Sequence, residues 1–167
     1  MEIISRTTAV ALLIILSPFL LIIGLGNLIL QGRPIIYRQK RVGKDFQEFM
    51  IYKFRTMKNE DAGIDNFSLG QTTTLTRWGR FLRKTKLDEL PQLANIIKGD
   101  MRFIGPRPEV PEYVSQDSFS FLSIIKPGLS GFSSILFRNE SEIWSMIESD
   151  DPYRDILKIK VGLANYY

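Results

Sequence analysis

The chain contains no histidine and no cysteine, so the side chains on which many catalytic and metal sites depend are missing. Without them, neither a Ser–His nor a Cys–His nucleophile–base pair can form. Disulfides and cysteine-based zinc sites are also excluded. If the protein is an enzyme, its carboxylates must carry the chemistry.

The 167 residues carry a net charge of +4, but the charges are unevenly distributed. Residues 33–58 contain eight cations and two anions, whereas residues 109–154 contain three cations and eight anions. A basic first half indicates a phosphate-rich partner, which could be an anionic lipid, a nucleotide or a nucleic acid.

Residues 7–32 form an uncharged and largely apolar run of 26 residues. A bilayer span needs about 20 such residues, so the length permits one. Ser17-Pro18 lies near the middle, and a break there would leave arms of ~17 and ~22 Å, each shorter than the ~30 Å hydrocarbon layer. A kinked single span and a re-entrant helix–break–helix, which returns Arg6 and Arg33 to one face, both stay open. In either topology the basic segment after the run is expected on the cytoplasmic side.

The remaining residues predict an α+β domain that is mostly α-helical, with amphipathic surface helices and a few short strands. We expect strands over 35–41, 46–57 and 131–137, helices over 75–82, 87–98, 140–149 and 153–165, and a polar loop over 59–74. Lys53 and Arg55 share one face of their strand. They could grip a diphosphate there, or simply face solvent or lipid.

Asp88 and Glu89 directly follow a cluster of five cations: Arg77, Arg80, Arg83, Lys84 and Lys86. Pro91 predicts that a helix begins within a few residues of Asp88, because proline fits the first helical turn. In a structural interpretation, Asp88 caps this helix and Glu89 lies in its first turn. In a catalytic interpretation, the helix N-terminus binds phosphate and holds the pKa of Asp88 low.

In the catalytic interpretation, ionised Asp88 attacks phosphorus while Glu89 binds a cation on the phosphate oxygens. Mg²⁺ is the expected ion, because it is typically bound by one or two carboxylates together with substrate phosphates. Arg83 is near enough in sequence to bind a phosphate oxygen.

Together these residues resemble the motifs of the bacterial sugar transferase family, the small monotopic phosphoglycosyl transferases. The resemblance extends over residues 5–140 and rests on motifs in a matching order: Ser17-Pro18, Lys53–Met57, Arg83-x4-Asp88-Glu89-Leu90-x-Gln92, Lys98–Met101, Gly105–Pro108, Lys126–Gly131 and Arg138-Asn139.

The resemblance implies transfer of sugar-1-phosphate from a UDP-sugar to a polyprenyl phosphate, usually undecaprenyl phosphate. This is the first membrane step in assembly of a surface glycan, such as an exopolysaccharide, a capsule, an O-antigen or a glycoprotein glycan. The position matching Asp88 attacks the β-phosphate and releases UMP, leaving an aspartyl sugar-phosphate. Glu89 matches the Mg²⁺-binding glutamate and Arg83 an arginine that contacts phosphate. Lys53, Arg107 and Arg138 match basic residues placed around the site.

The resemblance also implies a re-entrant helix over residues 1–32, broken at Ser17-Pro18, and a catalytic domain over residues 33–167. That domain is expected on the cytoplasmic face of the bacterial inner membrane, in contact with membrane lipid, with downstream glycosyltransferases as candidate partners. Relatives usually continue beyond the stretch matching Tyr166-Tyr167, so the chain is expected to be short at this end. The alternative is therefore a truncated or non-catalytic relative that only binds nucleotide-sugar or partner enzymes. A nucleic-acid partner is not expected, because the apolar run ties the chain to a bilayer.

Overall fold

A computed structural model describes residues 2–57, 75–137, 151–164 and 166–167. The predicted loop over 59–74 and the predicted helix over 140–149 lie outside these residues. The described part is mostly helical with a few short strands, as predicted. Its α-helices and strands are, in chain order, α1 (Glu2–Gln31), β1 (Ile36–Val42), β2 (Glu48–Phe54), α2 (Arg77–Thr85), α3 (Leu93–Lys98), β3 (Arg102–Ile104), β4 (Gly128–Ser130), α4 (Phe132–Leu136) and α5 (Pro152–Ala164).

The apolar run forms α1, a helix of 30 residues that is long and apolar enough to cross a membrane. The predicted break at Ser17-Pro18 is not present, because the helix is continuous through Pro18, and the Ser17 hydroxyl donates to the Ile14 carbonyl oxygen at 2.7 Å. Only 11 % of its most apolar 18-residue window is buried within the protein. The re-entrant topology stays a prediction.

The described residues within Met1–Gln39 and Met50–Gly99 form one compact unit. Its core contains Ile23 of α1, Phe54 of β2 and Leu82 of α2, so the apolar helix is part of this unit. Asn95 of α3 is fully buried, and its carboxamide donates to Met50 O at 2.7 Å and accepts from Tyr52 N at 3.3 Å. These bonds attach α3 to β2.

The helix predicted over residues 87–98 is divided in two. Residues Leu87–Gln92 form a 3₁₀ turn, and α3 begins only at Leu93. Pro91 explains the division, because it lacks an N–H and its ring disfavours the α-helical bond to the residue four before it. The helix ends at Gly99 as predicted, with the left-handed φ of 90° that favours glycine.

The described residues within Lys40–Phe49 and Asp100–Tyr167 form a second compact unit. Strands β3 and β4 are parallel, with Arg102 opposite Gly128 and Ile104 opposite Ser130. The strand predicted over 131–137 is wrong, because α4 occupies this stretch. Phe132, Ile135 and Leu136 follow the i, i+3, i+4 spacing of a helix face. In a short apolar run this spacing cannot be told from that of a buried strand. The helix predicted over 153–165 is confirmed as α5.

Candidate active site

Asp88 and Glu89 lie in the 3₁₀ turn that directly follows α2. Lys86, with a left-handed φ of 59°, ends α2 and reverses the chain into this turn. Both carboxylates are buried, with 6 % of Asp88 and 8 % of Glu89 exposed. Two adjacent carboxylates are thus enclosed beside the basic end of a helix.

The helix-cap interpretation of Asp88 is wrong. The turn begins after Lys86, and α3 begins after Gln92 without a side-chain cap. Asp88 Oδ1 is buried and has no hydrogen-bond partner among the described residues. A buried oxygen without a donor is unfavourable, so it marks a place where a ligand can bind.

Two basic side chains lie close to this pair. Lys53 Nζ is 2.9 Å from Glu89 Oε1, and both side chains are largely buried. Arg83 Nε donates to Thr56 Oγ1 at 3.0 Å, and the charge of Arg83 acts on Asp88. Lys53 of β2 and Arg83 of α2 therefore lie close to the carboxylates, and their binding of phosphate stays a prediction.

Burial raises the pKa of the Asp88 carboxyl above its usual value. Lys53 is the strongest of the cations that oppose this shift, and the neighbouring Glu89 adds to it. The expectation that a helix N-terminus holds this pKa low is wrong, because desolvation of the enclosed carboxylate outweighs the nearby positive charge. Asp88 is consequently a more basic carboxylate than a solvent-exposed one.

The oxygen atoms of the pair fit a hard divalent cation. Asp88 offers an oxygen without a hydrogen-bond partner among the described residues, and Glu89 pairs with the ammonium of Lys53. No group of three or more His, Cys, Asp or Glu residues that could hold a metal occurs within the described ranges. Mg²⁺ suits two carboxylates because it takes its remaining ligands from water and substrate phosphates. The assignment of Glu89 as the metal ligand stays a prediction.

Arg55 lies at the C-terminal end of α1. Its Nη2 donates to the carbonyl oxygens of Gln31 and Gly32, the latter at 2.9 Å, and only 3 % of the residue is exposed. It therefore satisfies carbonyl groups that a helix end leaves free. Its Nε and Nη1 are buried without a partner in the described part of the chain, and its binding of phosphate stays a prediction.

The roles of the two other predicted basic residues, Arg107 and Arg138, stay predictions. Arg107 belongs to the second unit, where it lines a small cavity with Glu109, Lys160 and Phe121. Arg138 lies outside the described residues.

Sequence reasoning missed two residues beside the site, Thr56 and Asn27. Thr56 accepts the hydrogen bond from Arg83, and nothing in its sequence position indicates this contact. Asn27 is a fully buried carboxamide within the apolar run, and its polarity there is a signal that the sequence does carry.

Comparison with known proteins agrees with these motifs. The sequence profile of the bacterial sugar transferase family matches residues 1–164. A UDP-N-acetylgalactosamine-undecaprenyl-phosphate N-acetylgalactosaminephosphotransferase of Aeromonas hydrophila is 35 % identical over 142 residues, covering 81 % of this chain and 33 % of its own. The undecaprenyl-phosphate galactose phosphotransferase of Salmonella typhimurium is 32 % identical over 163 residues, covering 87 % of this chain and 34 % of its own.

The relatives differ in length. The chain spans about a third of the length of these two proteins. It spans 72 % of the exopolysaccharide production protein ExoY of Sinorhizobium fredii, which is 37 % identical over 166 residues that cover 87 % of this chain. With the family profile matched over nearly the whole chain, this protein belongs to the bacterial sugar transferase family.

Proposed function

We propose that this protein transfers sugar-1-phosphate from a UDP-sugar to undecaprenyl phosphate, and so begins the assembly of a surface glycan on its lipid carrier. The names of the relatives support the class of reaction, since they describe undecaprenyl-phosphate sugar phosphotransferases. The observation that carries the proposal is the buried, unpartnered Oδ1 of Asp88 beside the Glu89–Lys53 ion pair.

The reaction has two displacements at one phosphorus atom. An Asp88 oxygen forms a bond to the β-phosphorus of the UDP-sugar, the bond to the bridging oxygen breaks, and UMP leaves with that electron pair. An oxygen of undecaprenyl phosphate then attacks the same phosphorus, and the Asp88 carboxylate leaves. No proton is needed to balance either step, so positioning and charge neutralisation suffice and the absence of histidine is no obstacle.

Burial prepares Asp88 for the first displacement. Its raised pKa makes the ionised carboxylate more reactive than one stabilised by water. Lys53 and Arg83 offset the negative charge that the diphosphate brings to the two carboxylates. Mg²⁺ bound by Glu89 with substrate phosphate would supply further charge neutralisation.

The proposal includes a re-entrant α1 and a site on the cytoplasmic face of the bacterial inner membrane. Residues 6 and 27 would be about 31 Å apart along a straight helix, which is the thickness of the hydrocarbon layer. Yet Arg6 lies against Gly99, and Asn27 bonds Arg55, so both ends contact the same compact unit. These contacts support a helix whose ends lie on one side of the bilayer.

The test is UMP release in nanodiscs from a panel of UDP-sugars, with Mg²⁺ and undecaprenyl phosphate. We expect release from at least one UDP-sugar and loss of release on chelation of Mg²⁺. Asp88→Asn should abolish release, whereas the matched control Asp155→Asn, a surface carboxylate paired with Lys158 at 3.0 Å, should retain it.

Two outcomes would contradict the proposal. Release that persists in Asp88→Asn rules out Asp88 as the nucleophile. Binding of UDP-sugar without turnover, and without a sugar-phosphate adduct on Asp88 by mass spectrometry, would instead indicate a non-catalytic relative.

A further inference from the structure

Asn27 is a fully buried polar residue in the otherwise apolar part of α1. Its Nδ2 donates to Arg55 O at 3.0 Å and to Ile35 O at 3.3 Å. Its Oδ1 accepts from Trp78 Nε1 at 2.7 Å and from Gln31 Nε2 at 2.9 Å. A carboxamide has two donor and two acceptor positions, so every position is used. Such complete pairing is what allows a buried amide in an apolar helix.

The hydrogen bond to Arg55 O attaches α1 to the end of β2, from which Lys53 reaches the site. Lys53, two residues before Arg55, pairs with Glu89 at 2.9 Å. Thr56, the next residue, accepts the hydrogen bond from Arg83 at 3.0 Å. A shift of the Arg55 carbonyl group would therefore move two contacts of the site at once.

The bond to Trp78 attaches α1 to α2, which carries Arg83 in its last turn. The indole ring also lies on Gly26, where an added Cβ would be 3.0 Å from Trp78 Cζ2. Gln31 closes the network, since it donates to Arg55 O at 2.9 Å and accepts from Thr76 Oγ1 at 3.3 Å. The start of α2 is thus held on α1 by hydrogen bonds and by close packing.

We propose that Asn27 is a positioning residue, which holds Lys53 and Arg83 against the Asp88–Glu89 pair from within the membrane helix. The inference rests on the proposed function. It gives α1 a part in catalysis in addition to anchoring, because the end of the helix sets the geometry of both basic side chains.

Asn27→Leu tests this, because leucine has a similar size and makes none of the four hydrogen bonds. We expect kcat for UMP release to fall by roughly tenfold or more, since small displacements of positioning groups lower rates strongly, while KM for the UDP-sugar changes little. The matched control is Ile23→Val, one turn earlier on the same helix, which packs on Phe54 and Leu82. It should lower the melting temperature and leave kcat unchanged.

Trp78→Phe removes the indole donor together with the part of the ring that lies on Gly26, and it serves as a second variant if Asn27→Leu does not fold. It should lower kcat less than Asn27→Leu, again with KM preserved. The network itself is visible without activity, because the Trp78 indole N–H should exchange slowly with solvent in ¹⁵N spectra of the wild type. Trp144→Phe, which removes the chain's other tryptophan, assigns the signal.

The outcomes separate this inference from the proposed function. A wild type that releases no UMP from any UDP-sugar overturns the proposed function and this inference with it. An active wild type whose Trp78 N–H exchanges freely overturns the inference alone. An unchanged kcat in both Asn27→Leu and Trp78→Phe also overturns the inference. An equal fall of kcat in Asn27→Leu and Ile23→Val, compared at matched melting temperature, overturns it as well.

Discussion

At the scale of single residues, Asp88 combines reactivity with a loss of stability. Its carboxyl group is buried and its pKa is raised, so the folded state holds the proton more tightly than the unfolded chain does. Between the unfolded and the folded pKa, the folded protein binds more protons, and the free energy of unfolding therefore decreases as the pH rises through this window. Above the folded pKa, the carboxylate is ionised in both states, and its desolvation lowers the free energy of unfolding by the largest amount.

We therefore expect Asp88→Asn to be more stable than the wild type at neutral pH without Mg²⁺, because asparagine has the same shape and no charge to desolvate. The difference should shrink as the pH falls from the folded pKa of Asp88 to the unfolded pKa of aspartate, and should be smallest below the latter. Thermal unfolding in detergent at a series of pH values measures this. A variant that is less stable at neutral pH, or a difference that is independent of pH, would contradict the assignment.

The same raised pKa predicts the pH dependence of catalysis. Attack needs the ionised carboxylate, so the rate of UMP release should fall as the pH decreases through the folded pKa of Asp88. Because Lys53 lowers this pKa, removal of its charge in Lys53→Met should move the acidic limb to higher pH. Initial rates of UMP release at UDP-sugar concentrations well below KM report the free protein and measure both profiles. Acidic limbs at the same pH in the two proteins would exclude Lys53 as a neighbour of the nucleophile.

The Lys53–Glu89 pair also provides a stability test with an internal comparison. Lys53→Met leaves Glu89 buried without its close cation, which should lower the free energy of unfolding by about 3 kcal/mol. Lys40→Met breaks a pair of similar length, 3.1 Å to Glu48, whose side chains are 66 % and 51 % exposed. It should change stability by less than about 1 kcal/mol. Equal losses in denaturant titrations of the two variants would show that burial does not decide the strength of the Lys53 pair.

At the scale of elements, hydrophobic periodicity predicts the long helices. It fails at short segments, where the backbone conformation of single residues decides the structure. The apolar run and the amphipathic segment near the end of the chain form the helices α1 and α5. In a long segment, one residue that departs from the pattern does not change the prediction. The Asp88 turn is not the expected helix start, since the left-handed Lys86 and the missing N–H of Pro91 together produce a 3₁₀ turn. The proximity of Asp88, Glu89, Lys53 and Arg83 is implied by the family motifs, whereas the raised pKa depends on burial that no motif encodes.

Glycine positions in two helices show how packing overrides helix propensity. Alanine is favoured over glycine inside a helix by roughly 1 kcal/mol. In α5, a Cβ at Gly162 would meet nothing within 4 Å, so Gly162→Ala should stabilise the protein by about that amount. In α2, a Cβ at Gly79 would collide with the backbone of Thr56, the residue that holds Arg83. Gly79→Ala should therefore destabilise the protein and lower the rate of UMP release.

Denaturant titration and UMP release measured on both glycine variants check this prediction. Stabilisation by both substitutions would show that the close approach of α2 to Thr56 does not exist in solution. Loss of stability in Gly162→Ala would show that α5 is not exposed at this position.

At the scale of the whole molecule, the exposed apolar surface of α1 indicates a lipid environment. Ile3, Ile14, Leu21 and Ile29 are each more than 60 % exposed along one helix. Soluble proteins rarely expose contiguous apolar surface of this extent. The sequence predicts this membrane segment from hydropathy alone. It cannot decide the topology, because a proline in an apolar run is compatible with a span as well as with a return.

The absence of cysteine makes the topology directly testable, since single-cysteine variants need no background substitution. Ser5→Cys and Arg33→Cys place a thiol at either end of the apolar run, and Gln116→Cys places one on an exposed position of the second compact unit. With a maleimide that cannot cross membranes, all three thiols should react in inverted inner-membrane vesicles and none in intact spheroplasts. We expect this because the contacts of Arg6 with Gly99 and of Asn27 with Arg55 attach both helix ends to the first compact unit, which the proposed function assigns to the cytoplasmic side. Labelling of Ser5→Cys from spheroplasts alone, with Arg33→Cys reacting only in inverted vesicles, would establish a single span and require the Arg6–Gly99 contact to be absent in the membrane.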